Sequence, residues 1–339
     1  MVKRVLWGAL CATLAVSLCS CKKKQEEKVV EKVVEEVKPV TIKLGFSTNM
    51  EDPRGVASNL FKDEVEKNSR GKILVEIFPN GKLGSDADLI SGVINDSVDM
   101  TVSSAGNFAV YATKLGISAL PFLFSDFESA WRFMDSDIIA QVNKTLEEFN
   151  TVVLSHYDNG FRCVTTTNKP VNSVADMKGL NIRTPPSQIV METMSTLGAN
   201  PKPYDFPKLK QALKDGLFDS QENPIPVIYN NKLYEEQKYL AITNHSYDAM
   251  PLVIRKKLWD SFDAASQKIL LDAAKKAQNL DRNLVKAQTE SYVVKLKDAG
   301  MTITTPNLKE FAKATDGVMD AFATIYGADL IAKMRAATK

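Results

Sequence analysis

From Ser261 to Ala299 the chain contains neither glycine nor proline. Ile269, Ala273, Ala277, Leu280, Leu284 and Ala287 recur there at helical spacing, which predicts helix. One unbroken helix of this length would run roughly 60 Å at 1.5 Å per residue. A body of about 300 residues points to two domains rather than one, and such a helix exceeds the diameter of either. It is expected to span both as a spine. The alternative is two helices with an irregular joint near Asn279 to Asn283.

Ahead of the spine, short strands alternate with helices. Thr41–Phe46, Lys72–Phe78 and Val98–Val102 read as strands, with helices over Ala57–Lys67 and Asp88–Ile94. This order implies a parallel or mixed sheet covered by helices. Thr151–His156 reads as a strand leading into a loop over Tyr157-Asp158-Asn159-Gly160. A second α/β pattern follows. Ser187 can cap a helix through Leu197, and Asp205 one that runs to Asp215. Leu217–Ser220 reads as a strand, and Asn223-Pro224 opens a further helix. No internal repeat is present.

Arg183 is the leading candidate for chemistry. Leu180-Asn181-Ile182 alternates apolar and polar, and Pro185-Pro186 bars continuation of a strand. Arg183 therefore falls at the strand's carboxyl end, where open α/β sheets bind ligands. A guanidinium there can clamp a carboxylate through two parallel, charge-assisted bonds. The alternative is an Arg paired with a structural Asp or Glu.

The N-terminus reads as a targeting segment, residues 1–20. Lys3 and Arg4 precede an apolar run from Val5 to Ser20 that is short for a membrane span. Leu18-Cys19-Ser20-Cys21 resembles a bacterial lipobox, which implies cleavage before Cys21 and acylation of its thiol. An uncleaved anchor is the alternative; either way the body is exported. Residues 21–39 form a charged tether of Lys, Glu, Gln and Val, read as solvated and extended or as a short helical stalk. If Cys21 carries lipid, Cys163 is left without an intrachain partner and reads as a small buried residue. Without Lys3 and Arg4 the basic and acidic side chains are equal in number, which gives no general electrostatic reason to bind nucleic acid.

Several segments together resemble the substrate-binding proteins of tripartite ATP-independent periplasmic (TRAP) transporters, from about Thr41 onward. The most specific are Asn159-Gly160-Phe161-Arg162 and Asp176-Met177-Lys178-Gly179-Leu180-Asn181-Ile182-Arg183. Gly198-Ala199-Asn200-Pro201 with Phe206, and Asp219-Ser220-Gln221-Glu222-Asn223-Pro224, follow in order; Lys43-Leu44-Gly45-Phe46 and Leu83-Gly84-Ser85-Asp86 agree in position. The resemblance implies an α/β, two-lobed periplasmic-binding-protein-like fold with a spine helix spanning both lobes. Lobe I would comprise 40–159 plus about 249–288, and lobe II 160–248 plus about 289–339. It implies a small organic acid ligand and TRAP membrane permease subunits as partners; the membrane would be reached through the lipid at Cys21 that the lipobox-like segment implies. Arg183 would clamp the ligand carboxylate and Asn223 would also reach it. Arg162, Phe206 and Asp86 match further cleft positions. Arg162 would meet a second anionic group or pair within its own lobe. Asp86 would bind ligand hydroxyls or cap the following helix, of which capping is the favoured role. Ser104 and Asn107 stand where some sugar-acid binders carry charge, and Pro186 where some carry Asn, so a sialic-acid specificity does not transfer.

Catalysis finds no constellation here. The only histidines are His156 and His245, and neither belongs to a zinc motif. No nucleophile elbow or phosphate loop is present, and no cofactor is implied. His156 lies near the expected cleft strand and is a lesser candidate for ligand contact. A surface adhesin or structural lipoprotein is the competing function; it would suit the tether but not a polar cleft centred on Arg183.

Overall fold

The computed structural model describes residues 38–337. The expected leader, Cys21 and the tether as far as residue 37 lie outside the described residues. Within them, nine strands form one mixed sheet. In chain order these are β1 (Val40–Gly45), β2 (Ile73–Phe78), β3 (Met100–Val102), β4 (Thr151–Thr166), β5 (Asn181–Thr184), β6 (Asn200–Pro203), β7 (Ser220–Pro224), β8 (Tyr239–Arg255) and β9 (Thr302–Thr304). A parallel block, β2-β1-β3, occupies one side, and a second parallel block, β7-β5-β6, the other. Parallel neighbours require crossovers, and the helices Pro53–Asn68 and Gln188–Thr196 supply two of them. Between the blocks run β8 and β4, 17 and 16 residues long. They are antiparallel to each other and to the flanking β3 and β7, while β9 pairs with the start of β8.

The expected spine is one helix, Ala264–Asp298, of 35 residues, about 52 Å long. Asp263 caps it by accepting the Ser266 amide at 2.7 Å. Its first half packs Leu270, Ala273, Ala274 and Ala277 among Ile42, Leu44 and Val75 of the first block. Its far end places Leu296 among Leu209, Ile225 and Ile228 beside the second. No joint interrupts it near Asn279–Asn283. The buried face there differs from the apolar stripe expected: Gln278, Asp281 and Arg282 are buried while Ala287 is exposed. The reason is polar pairing. Gln278 Oε1 accepts the His156 amide at 3.1 Å, and Asp281 Oδ2 accepts the Asp158 amide at 2.6 Å. Arg282 grips Asp135 through both terminal nitrogens, at 2.9 and 3.0 Å. A polar side chain can be buried when its partners are supplied.

That pairing explains a second difference. Tyr157–Gly160, expected as a loop, lies inside β4. The turn-like residues appear as a register shift against β8 between Asp158 and Gly160, and spine side chains accept backbone N–H groups of His156 and Asp158, next to the irregularity. Gly160 has φ +109, and a Cβ there would sit 3.0 Å from Val285 of the spine. Glycine fits both the backbone and the close approach. A third difference is smaller: the strand expected at Leu217–Ser220 begins only at Ser220, with Leu217 half exposed before it.

Buried ionisable groups gather where β4 meets the spine. Burial pushes Asp158 up to about 6, against the opposing pull of Arg282. Burial and the facing Asp158 carboxylate drive Asp281 well above the usual range. His156 bonds Asn143 at 3.0 Å through Nε2, and burial with the nearby Arg282 charge pushes it down to about 3. A histidine lowered in the folded state leaves the unfolded chain binding more protons below its ordinary pKa of about 6.5. Its contribution is complete above that pH and is lost as pH falls toward 3. We expect His156→Gln, which keeps a neutral partner for Asn143, to gain about 2 kcal/mol relative to wild type between pH 7 and pH 5. Denaturant unfolding at the two pH values measures this, and the comparison with wild type cancels the opposite contribution of Asp158. A difference independent of pH would exclude a buried neutral His156.

Candidate functional site

Arg183 is the third residue of β5 and its side chain is 3 % exposed. Nε and Nη2 both donate to the Tyr204 carbonyl oxygen, at 2.8 and 2.5 Å. The guanidinium lies 5.8 Å from the centroid of Phe206, within cation–π range. Among the described residues it forms no ion pair. Burial pushes it down to about 10, an effect that the more distant Glu222 only partly offsets and Arg162 reinforces. Arginine does not give up its proton at such a site. The two donors of Arg183 share one backbone carbonyl, and a buried charge calls for a partner.

Arg162, on β4, is in the opposite condition. Its Nε and Nη2 engage both carboxylate oxygens of Glu222, and Nη1 reaches Asp248 at 2.5 Å. Nη2 also donates to the Glu222 carbonyl at 2.8 Å and to Asn223 Oδ1 at 3.3 Å. Burial pushes Glu222 upward, but the Arg162 guanidinium and a bond from His245 outweigh it and hold the carboxyl below its usual range. Asp248 further accepts Asn159 Nδ2 at 2.8 Å and Ser104 Oγ at 2.5 Å. Of the two roles open to Arg162, pairing within the chain is therefore realised.

Asp86 differs from the favoured expectation. It is the first residue of the helix Asp86–Ile94, but the cap is Ser85, whose hydroxyl accepts the Asp88 amide while Asp88 accepts the Ser85 amide. This reciprocal arrangement satisfies the orphan donors and leaves the Asp86 carboxylate to accept from Ser47 Oγ at 3.0 Å and Ser103 Oγ at 3.2 Å. The helix at Phe206–Lys214 likewise has Asp205 in the cap position, but its carboxylate takes Lys208 instead of a backbone amide.

Arg183, Asn223, Arg162, Phe206 and Asp86 all line one cavity between the two parallel blocks. Asn223 Nδ2 donates to Gln221 Oε1 at 2.5 Å, which leaves its second amide hydrogen without a partner among the described residues. Ser104 and Asn107, singled out as departures, line the same cavity. Arg54, Asp248 and Met250 join them without a sequence signal for the cavity. Asp248 sits opposite Gly160 in the β4–β8 ladder, a pairing that no local pattern announces. Nearby, Asn49 Nδ2 donates to the Asn230 carbonyl at 2.8 Å, which joins the segment after β1 to the helix Ile225–Asn230. Pro207 lies so near Gly81 that a Cβ there would come within 2.6 Å of it. His156 does not line the cavity, because its ring turns to Asn143. Cys163 is buried, and burial pushes its thiol up to about 11, which removes its nucleophilic form at neutral pH.

Residues 44–325 match the family described as bacterial extracellular solute-binding protein, family 7. The 2,3-diketo-L-gulonate-binding periplasmic protein of Escherichia coli is 32% identical over 295 residues, which cover 86% of this chain and 90% of that protein. A TRAP periplasmic solute-binding protein from Polaromonas, solved with D-erythronate bound, superposes with a TM-score of 0.86 at 32% identity, covering 88% of this chain and 98% of the other. The sugar-acid-binding protein of Advenella mimigardefordensis in complex with galactonate gives a TM-score of 0.86 at 27% identity, over 89% and 99% of the two chains.

Proposed function

The chain belongs to family 7 of the bacterial extracellular solute-binding proteins, and from that premise we propose that it captures a small organic acid outside the cytoplasm and delivers it to the membrane subunits of a TRAP permease driven by an ion gradient. One observation carries the ligand class. Arg183 is a buried cation with two donors on a backbone carbonyl and no carboxylate paired to it among the described residues. A ligand carboxylate would complete it, with the Asn223 amide as a further donor and Phe206 covering the ligand's adjacent face. Arg162 supports the cavity by holding Glu222 and Asp248, and Asp86 offers an acceptor for a ligand hydroxyl. The role is binding rather than turnover, as the family implies. The named ligands of the relatives, a diketogulonate, an erythronate and a galactonate, are carboxylates and support the same reading.

Capture requires opening and reclosing. We place the lobes at 40–159 with about 249–288 and at 160–248 with about 289–339, so that β4 and β8 each cross from one lobe to the other. The hinge then falls at Asn159 and Asp248, which are hydrogen-bonded to each other beside the register shift, with a bend in the spine helix. A few residues can absorb such a motion. Small-angle scattering should show a smaller radius of gyration when ligand saturates the protein. An unchanged radius with binding confirmed would remove lobe closure.

Anchoring is proposed at Cys21. No described helix is long and apolar enough to cross a membrane, and two or more acyl chains suffice for stable attachment. Cys21→Ala should release the protein from the membrane fraction; continued attachment without acylation would overturn the assignment.

Truncating one partner of a buried charge pair costs about 2–5 kcal/mol. Arg183→Ala should therefore weaken binding of the native acid by roughly thirtyfold to several thousandfold. Arg183→Lys should not restore it, since an ammonium lacks the planar fork. Asn223→Ala should cost less, about 1–3 kcal/mol. Titration calorimetry on cooperatively melting variants, with the acid identified by mass spectrometry of purified protein, measures all three. Near-native affinity in folded Arg183→Ala would sink the clamp.

A further inference from the structure

Arg54 is the second buried arginine of the cavity without an ion pair among the described residues; the buried Asp52 carboxylate balances its charge through space but leaves its N–H donors unfilled. It occupies the second position of the helix Pro53–Asn68 and is 3 % exposed. A cation there is disfavoured twice, by burial and by the positive end of the helix dipole. Its own contacts are poor. Nη1 points to the Val102 carbonyl at 3.4 Å, Nη2 to the Met250 sulfur at 3.7 Å, and Nε has no partner. Asp52, the helix cap, accepts the Arg54 backbone amide at 3.2 Å but forms no ion pair with the guanidinium. Two further polar atoms of the same cavity are buried without a partner among the described residues, Asn107 Oδ1 and the Thr48 hydroxyl. On the side of the first parallel block the cavity thus presents a surplus donor in Arg54 and a surplus acceptor in Asn107, with the Thr48 hydroxyl able to serve as either.

The chemistry of these two groups selects among ligand substituents. A carboxylate could accept from Arg54 but has nothing to donate to Asn107. It would also be buried in the cavity that Asp86 lines with its own carboxylate, and like charges in a dry site repel strongly. A methylene would leave both groups unsatisfied, at the full desolvation cost of each. A hydroxyl accepts from the guanidinium and donates to an amide or carboxylate oxygen.

We infer that Arg54, with Asn107, forms a second recognition subsite that reads hydroxyl groups on the part of the ligand away from its carboxylate, and that Arg54 thereby selects hydroxylated monoacids over dicarboxylates and bare fatty acids. The inference rests on Arg183 holding the carboxylate. Sites built to hydrogen-bond a hydroxyl discriminate strongly against analogues that lack it, because the site's own groups are then left unpaired.

Matched acids test this by calorimetry on ligand-free protein: D-erythronate, butanoate and succinate at four carbons, and D-galactonate, hexanoate and adipate at six. At one length or both, the hydroxylated acid should bind wild type at least tenfold more tightly than either mate. Arg54→Met should reduce that advantage to under threefold, and Asn107→Ala should reduce it in the same direction if Arg54→Met fails to melt cooperatively. A dicarboxylate or bare acid that binds as well as its hydroxylated mate overturns the subsite while leaving the Arg183 clamp intact. So does an advantage that survives in folded Arg54→Met. Conversely, full affinity in Arg183→Ala with the advantage still lost in Arg54→Met removes the clamp and keeps a hydroxyl-reading Arg54. Binding of none of the six acids removes both.

Discussion

The Arg162 cluster ties the sheet together where its two blocks meet. Arg162 on β4 holds Glu222 on β7 and Asp248 on β8, so three adjacent strands share one buried charge network. His245 adds a contact to Glu222 at 3.3 Å. Removing ions from water costs several kcal/mol each, and the mutual attraction repays this only when geometry is good and the remaining donors are filled. Here four of the five guanidinium hydrogens have acceptors, and Asp248 has two further donors in Asn159 and Ser104. The network's contribution is specificity of arrangement: it holds the cavity-lining groups of both blocks in one register.

Against that saturated arginine, Arg183 and Arg54 stand out by contrast. All three are buried to the same degree and all three line one cavity, yet among the described residues only Arg162 forms ion pairs with acids of the chain. Residue type and burial do not separate the arginine that the chain pairs from the two that it does not. The distinction lies in what remains unmet after the fold has formed. Arg183 shares one carbonyl between two donors, and Arg54 has a distant carbonyl and a thioether.

The spine contributes through its polar middle. Gln278 and Asp281 accept the amides of His156 and Asp158 at the edge of the β4 register shift, and Asp158 in turn accepts Trp131 Nε1 at 2.5 Å. The irregular section of the long strand is thus hydrogen-bonded by the spine helix in addition to its pairing with β8. A hinge proposed at that section would bend where strand pairing is already interrupted.

Periodicity and breakers in the sequence determined the spine, the alternation of strands with helices, and the place of Arg183 before Pro185-Pro186; these are local properties, readable because helix and strand repeats differ and proline ends a strand. The motif residues Arg162, Phe206 and Asn223 were legible by resemblance. Tertiary structure alone decided the rest. Whether Tyr157–Gly160 turns or continues depended on β8, which lies some ninety residues onward in pairing. Whether Asp86 caps its helix depended on Ser85 and Asp88 filling that role first. Whether each arginine is paired or available depended on Glu222 and Asp248 reaching one and not the others, and on Arg54 being carried into the cavity by a helix start that lies ahead of the expected Ala57–Lys67. Charge compensation is a property of distances between strands, and a linear pattern does not encode those distances.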